Sequence, residues 1–150
     1  MSELPTFRLH ADQLASGAVV RSDARCLSCE QPRGYVYSGP VFSVRDDLYD
    51  ALCPWCVADG SAAARFDASF VDIARDELMA LPPEIRDELE HRTVSYTGWQ
   101  EAEWLAHCGD AMTFLATVDG DRLRRYPDAV AGLRQDFPTW GDTEFEQFVG

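Results

Sequence analysis

Four cysteines in two CxxC pairs constrain this chain more than any other feature. Cys26-Leu27-Ser28-Cys29 and Cys53-Pro54-Trp55-Cys56 stand 23 residues apart. A CxxC loop turns tightly enough to aim two sulfurs at one point, and two such loops complete a tetrahedral four-thiolate shell. The gap is slightly longer than the usual zinc-ribbon spacing. Within it, Gly34-Tyr35-Val36-Tyr37 reads as a strand, Ser38-Gly39-Pro40 as a turn and Val41-Phe42-Ser43-Val44 as a second strand. The pattern predicts a knuckle, a hairpin and a second knuckle. Residues 58–66 lean towards helix, with Gly60 placing the start at Ser61 and Ser61 as its cap. A second pair at or just before a helix start is the arrangement of treble-clef zinc sites, where the helix N-terminus helps to stabilise thiolate. Cys26, Cys29, Cys53 and Cys56 are therefore the expected ligands and zinc the expected cofactor. Its role is structural, because four thiolates leave no coordination position open for chemistry.

The competing reading is a redox dithiol at Cys53 and Cys56. A thioredoxin-like site needs its CxxC after a strand, inside a βαβ unit. The residues between Arg21 and Ala64 have neither the alternation nor the length for one.

Charge bears on partners. The chain of 150 residues carries 26 acids against 13 bases, every base being Arg, for a net charge of −13. Up to Cys56 there are 7 acids and 5 Arg, net −2, whereas beyond it 19 acids face 8 Arg, net −11. Such a field repels phosphate backbones and anionic lipid and favours a basic partner, while also serving solubility. No run of 18 apolar residues exists, and the first twelve residues lack the basic-then-apolar layout of a signal peptide. The expectation is a soluble, cytoplasmic protein with no nucleic-acid or membrane target.

Downstream of the cysteines the pattern is helical. Phe70, Ile73, Ala74, Leu78 and Leu81 predict one amphipathic helix over residues 67–81. Pro83 and Glu84 open a second helix running to Glu90, and residues 93–98 form a break or a short extended connection. Helical spacing then places Trp104, His107 and Cys108 on one face, with Gly109 as an interruption. A further helix starts near Pro127, and Trp140, Phe145 and Phe148 anchor the terminal segment. Arg122, Arg124 and Arg125 form the one local basic run, expected either as solvated surface or as partners of Asp119, Asp121 and Asp128.

Several of these runs resemble the CbrC family of small bacterial cysteine-containing proteins. They are Leu4-Pro5-Thr6-Phe7-Arg8, the Cys26/Cys29 pair, Gly34 to Pro40, Leu52-Cys53-Pro54-Trp55-Cys56 through Gly60-Ser61-Ala62-Ala63, and Gly98-Trp99-Gln100 with His107-Cys108-Gly109-Asp110. The resemblance spans about residues 4–115, and the segment from Cys53 to Ala63 is its most specific part. It implies CxxC-based metal binding and, through one member, a role in tolerance to a nuclease colicin. The family is credited with up to three CxxC motifs. This chain has two, and His107-Cys108 is the nearest counterpart of the third.

Two functions of different class follow. One is a non-enzymatic, zinc-bearing interaction factor for toxin tolerance or immunity, whose acid excess suits a basic nuclease domain. Tyr96, Trp99 and Trp140 are its candidate anchors, with core packing as their ordinary alternative. The other is a thiol-dependent enzyme built on Cys53 and Cys56 or on His107, Cys108 and Asp110. Neighbours on a helix point about 100° apart, which argues against a His107–Cys108 couple. Trp99, His107, Cys108 and Asp110 remain candidates for a second site or a partner contact. Asp59 and Asp110 are expected chiefly as helix caps. The fold expected is α+β: a treble-clef-like or zinc-ribbon-like module over residues 1–66, packed on an acidic, mostly helical part over residues 67–150.

Overall fold

The computed structural model describes residues 2–98 and 102–149. Two compact units divide the chain, Met1–Ala116 and Thr117–Gly150. Among the described residues the architecture is mixed, with short helices and three two-stranded sheets.

In the first unit, β1 (Val19–Arg21) pairs antiparallel with β2 (Tyr35–Tyr37), Val19 opposite Tyr37 and Arg21 opposite Tyr35. The hairpin therefore wraps around the first cysteine pair and does not lie between the two pairs. The expected second strand at Val41–Val44 turns away instead, and Phe42 bridges to Ser69. Tyr37 accounts for this departure. Its backbone N–H donates to the Leu52 carbonyl at 2.7 Å, so the edge of β2 is taken by the residue just before the second cysteine pair. Gly39 lies packed against the Tyr37 ring, where a side chain would collide, and lets the chain fold back over it.

The helix α1 (Pro54–Ala58) begins inside the second pair, with Cys53 as its N-cap and Pro54 at the first position. Proline lacks the N–H that would be unsatisfied there. Gly60, at φ 81°, turns the chain into α2 (Ser61–Phe66). Gly60, and not Ser61, takes the N-cap position; Asp59 closes α1 and its carboxylate accepts the Ser61 N–H at 2.8 Å.

The expected helix over residues 67–81 is helical only in its second half. Its first half contributes β3 (Asp72–Ile73), and α3 covers Arg75–Ala80. The left-handed turn at Asp67 and the Ser69–Phe42 bridge hold this stretch extended. α4 (Pro83–His91) follows as anticipated, and residues 93–98 belong to neither helix nor strand. The larger correction concerns residues 102–111. They form β4 (Glu103–Trp104), parallel to β3, and a tight hairpin of β5 (Ala106–His107) and β6 (Asp110–Ala111), with no helix. Phe114 then bonds the N-terminal segment, its N–H donating to the Leu9 carbonyl at 2.9 Å.

Two apolar clusters support this unit. One gathers Tyr37, Leu48, Leu52, Val57, Phe66, Phe70 and Val94 around the cysteines. The other joins Leu9, Val71, Leu81, Leu89, Trp104 and Ala111. Each fully buried Leu or Val contributes about 1.5–3 kcal/mol relative to exposure.

The second unit comprises α5 (Gly120–Leu123), α6 (Pro127–Asp136) and α7 (Asp142–Val149). Phe137, Trp140 and Phe148 cluster, with Phe137 stacked on Trp140 at 4.3 Å. Phe145 is buried under the Arg134 guanidinium at 4.2 Å. Arg124 pairs with Glu146 at 2.9 Å, and not with the nearby aspartates the sequence suggested, because α7 returns beside α5. Asp119 instead caps α5 through the Arg122 N–H.

Candidate metal centre

Two loops from different parts of the first unit carry the cysteines, and backbone hydrogen bonds lock them together. Leu27 N–H donates to the Ala51 carbonyl at 2.8 Å, tying the first knuckle to the lead-in of the second. The first knuckle closes on itself through Glu30 N–H to the Cys26 carbonyl at 2.7 Å, with Glu30 left-handed at φ 60°. Arg65 of α2 clamps its outer side by donating to the Ser28 carbonyl.

The result is a sulfur cluster. The four Sγ atoms of Cys26, Cys29, Cys53 and Cys56 all lie within 4.8 Å of one another. Cys29 and Cys53 sulfurs are 3.9 Å apart. A regular tetrahedron with metal–sulfur bonds of about 2.3 Å has edges of about 3.8 Å, so the donors stand close to ligating positions. Among the described residues this is the one cluster of three or more His, Cys, Asp or Glu donors placed to hold a metal ion. Soft thiolates in such a set suit zinc, copper(I) or iron–sulfur chemistry, not magnesium or calcium.

Electrostatics favour thiolate at one corner. The Cys53 side chain, and then the backbone N–H groups of Cys29, Cys53 and Ser28, hold the Cys26 thiol well below its ordinary range. The Cys53 N–H to Cys26 Sγ bond is 3.2 Å. Cys53 is pushed up, first by its bond to Cys26 and then by burial, and burial also raises Cys56. Protons thus crowd into a site whose sulfurs compete for them. A divalent cation would relieve that competition by displacing the protons. Cys26, Cys53 and Cys56 are buried, whereas Cys29 is half-buried.

The remaining candidates sit elsewhere. His107, Cys108 and Asp110 do not join the cysteine cluster. They occupy the β5–β6 hairpin, where Cys108 and Gly109 form the two-residue turn at φ 54° and 76°. This turn overturns the argument that kept His107 and Cys108 apart: His107 Nδ1 lies 2.7 Å from Cys108 Sγ, both side chains being exposed. Asp110 caps no helix. It accepts from Arg8, which also holds Glu88, and the Arg8 guanidinium pulls its carboxyl below the usual range. Trp99 lies outside the described residues. Of the proposed anchors, Tyr96 is half-buried against Trp104 and Phe114, and Trp140 belongs to the aromatic cluster of the second unit.

His10 was not singled out from the sequence. It is buried, with Nδ1 donating to the Val94 carbonyl at 2.9 Å and Nε2 2.7 Å from Ser16 Oγ. Nothing in its sequence neighbourhood marks it, because its principal partner is 84 residues away.

No helix among the described residues is long and apolar enough to cross a membrane. No solved structure matches the chain. Sequence relatives do. Proteins of Mycobacterium bovis and Mycobacterium tuberculosis are each 42% identical over 149 residues, covering 98% of this chain and 79% of theirs. A Pseudomonas aeruginosa protein is 45% identical over 134 residues, covering 89% and 74%. All three carry the UPF0167 name, and the model of the uncharacterised protein family UPF0167 matches residues 4–148. With the model spanning nearly the whole sequence and the two CxxC pairs inside it, the chain belongs to the UPF0167 family.

Proposed function

We propose that the protein is a zinc-stabilised, non-enzymatic interaction factor whose four-cysteine site holds the first unit together. The observation that carries this reading is the convergence of four Sγ atoms within 4.8 Å, from two loops joined by backbone hydrogen bonds. A second CxxC pair that opens a helix supports a treble-clef-like site. Full thiolate coordination supports a structural over a catalytic metal. Zinc would link the first knuckle to α1, and metal binding would be coupled to folding of the surrounding cluster.

The partner in this reading is basic. The acid excess, together with the resemblance to the CbrC family, favours a cationic protein such as a nuclease toxin domain, with a role in toxin tolerance or immunity, over nucleic acid or anionic lipid.

Native mass spectrometry of protein purified under reductant tests the metal. One zinc should be retained, released on denaturation, with five thiols titrating afterwards. Cys26→Ser or Cys53→Ser should lose the zinc and the cooperative unfolding transition of the first unit. A metal-free protein with a reversible disulfide would instead make Cys53 and Cys56 a redox pair. Salt-sensitive binding to a basic nuclease domain tests the partner, and binding that ignores ionic strength counts against it.

A further inference from the structure

The β4–β6 region of the first unit leaves a groove of about 220 Å³ walled by Tyr96, Trp104, Leu105, Met112 and Phe114, with Glu103 at its edge. The floor is preorganised. Tyr96 stacks on Phe114 at 4.3 Å and leans on Trp104 at 5.5 Å. Trp104 Nε1 donates to the Met112 carbonyl and the Tyr96 hydroxyl to the Glu103 carbonyl, each at 2.8 Å. The walls are open: Leu105 is 59% exposed, Met112 50% and the adjoining Leu115 67%. Exposed apolar side chains gathered beside a formed groove mark a contact surface more than scattered ones do.

Charge indicates what covers it. Asp72 and Glu103 are register partners in the parallel β3–β4 pair, and both are exposed. Like charges at partner positions repel, a cost that a bound cation would remove. Glu77 reaches the same edge, its Oε2 accepting the Ala106 N–H at 3.3 Å. Among the described residues none of these three carboxylates has an ion-pair partner, whereas Asp87, Glu88 and Asp110 of the same unit are each held by an Arg of this chain. The surface thus combines a preformed apolar slot with unneutralised acid along one side.

The geometry points to this groove as the docking site for a basic, apolar segment of another protein. A large apolar side chain would enter between Leu105 and Met112, and a flanking Lys or Arg would meet Asp72, Glu103 and Glu77. This rests on the interaction-factor reading and gives it a surface.

The probe is a fluorescently labelled synthetic peptide alternating Lys and Leu, tested by anisotropy against the full, metal-loaded chain. The same peptide with Glu in place of Lys, and an oligo-lysine of equal length, serve as comparisons. The Lys–Leu peptide should bind and the other two should not. Leu105→Ser with Met112→Ser should weaken binding at least about tenfold, as loss of a buried apolar contact does. Asp72→Asn with Glu103→Gln should weaken it several-fold and flatten its salt dependence. Asp142→Asn with Glu144→Gln, in the second unit, should leave it unchanged. Circular dichroism and metal content report whether each variant has folded. For the unaltered protein, hydrogen exchange should show protection over residues 103–114 on adding the peptide.

Absence of that protection, equal binding of oligo-lysine, or equal loss in both acid-neutralised variants would overturn the inference. So would a concentration-dependent dimer abolished by Leu105→Ser, which would assign the groove to a second copy. A zinc-free protein that binds with the expected losses removes the metal reading and keeps this surface. A zinc-loaded protein without those losses does the reverse.

Discussion

Tyr37 joins four stretches of chain that are far apart in sequence. Its N–H reaches Leu52, its hydroxyl donates to Pro40 at 2.9 Å and accepts from Ser95 N–H at 3.3 Å, and its ring meets Phe70 edge-on at 5.6 Å. Gly39 is small because that ring occupies the space a Cβ would need, the ring Cε2 being 2.6 Å away. Gly39→Ala should therefore lower stability by about 1–3 kcal/mol through overpacking, measured by denaturant unfolding of the metal-loaded protein. His10 gives a pH signature. Burial lowers its folded pKa below the ordinary 6.5, against the opposing hydrogen bonds to Val94 and Asp12 and the Asp12 charge. The unfolded chain then takes up a proton at a pH where the folded one does not, so the contribution is present above pH 6.5 and fades as pH falls through the depressed folded value. Thermal unfolding between pH 7.5 and 5.5, roughly the range over which histidine titrates, should show a decline that is shallower in His10→Gln. Comparing the two slopes at equal metal loading isolates the histidine.

At the scale of elements, success in reading the sequence follows how local each signal is. α4 was legible because Pro83 at the first position, Glu84 in the first turn and the apolar spacing all lie within one segment. The four-cysteine cluster was legible because CxxC geometry is local and the two loops have only to meet. The hairpin partner of β2 was not, because what selects β1 is the Tyr37–Leu52 bond closing the other edge. Residues 102–111 misled for a different reason. The spacing of Trp104, His107 and Cys108 fits a helix, and a Cys-Gly pair carries none of the Asn-Gly or Asp-Gly preference that announces a tight hairpin. The positive φ of Cys108 could be seen only in the fold. Cys108→Asn should consequently keep the metal and raise stability by about 0.5 kcal/mol, since Asn tolerates the left-handed region better. Calorimetry and metal analysis of that variant check both halves. A loss of function on the same substitution would give the His107–Cys108 couple a chemical role.

For the molecule as a whole, the acid excess is less lopsided than a division at Cys56 suggests. Thr117–Gly150 has 7 acids and 4 Arg, net −3, so most of the negative charge belongs to the unit that carries the cysteines. That unit contains both apolar clusters, and its hydrogen-bonded closure runs from Leu9 to Phe114. A chain of residues 1–116 should fold and retain one zinc with the stoichiometry of the full protein, as native mass spectrometry and near-ultraviolet circular dichroism would show. Failure of that fragment to hold metal would place part of its stability in the last helices. The uneven burial of the four sulfurs sets how such a metal would be exchanged. Chelators and thiol-reactive compounds would meet the site from the Cys29 side, so release would begin with the first knuckle loosening while Cys53 and Cys56 stay anchored at the start of α1. The lifetime of a bound ion would then depend on what holds that first knuckle: the Leu27–Ala51 and Glu30–Cys26 backbone bonds and the contact of Arg65 with the Ser28 carbonyl.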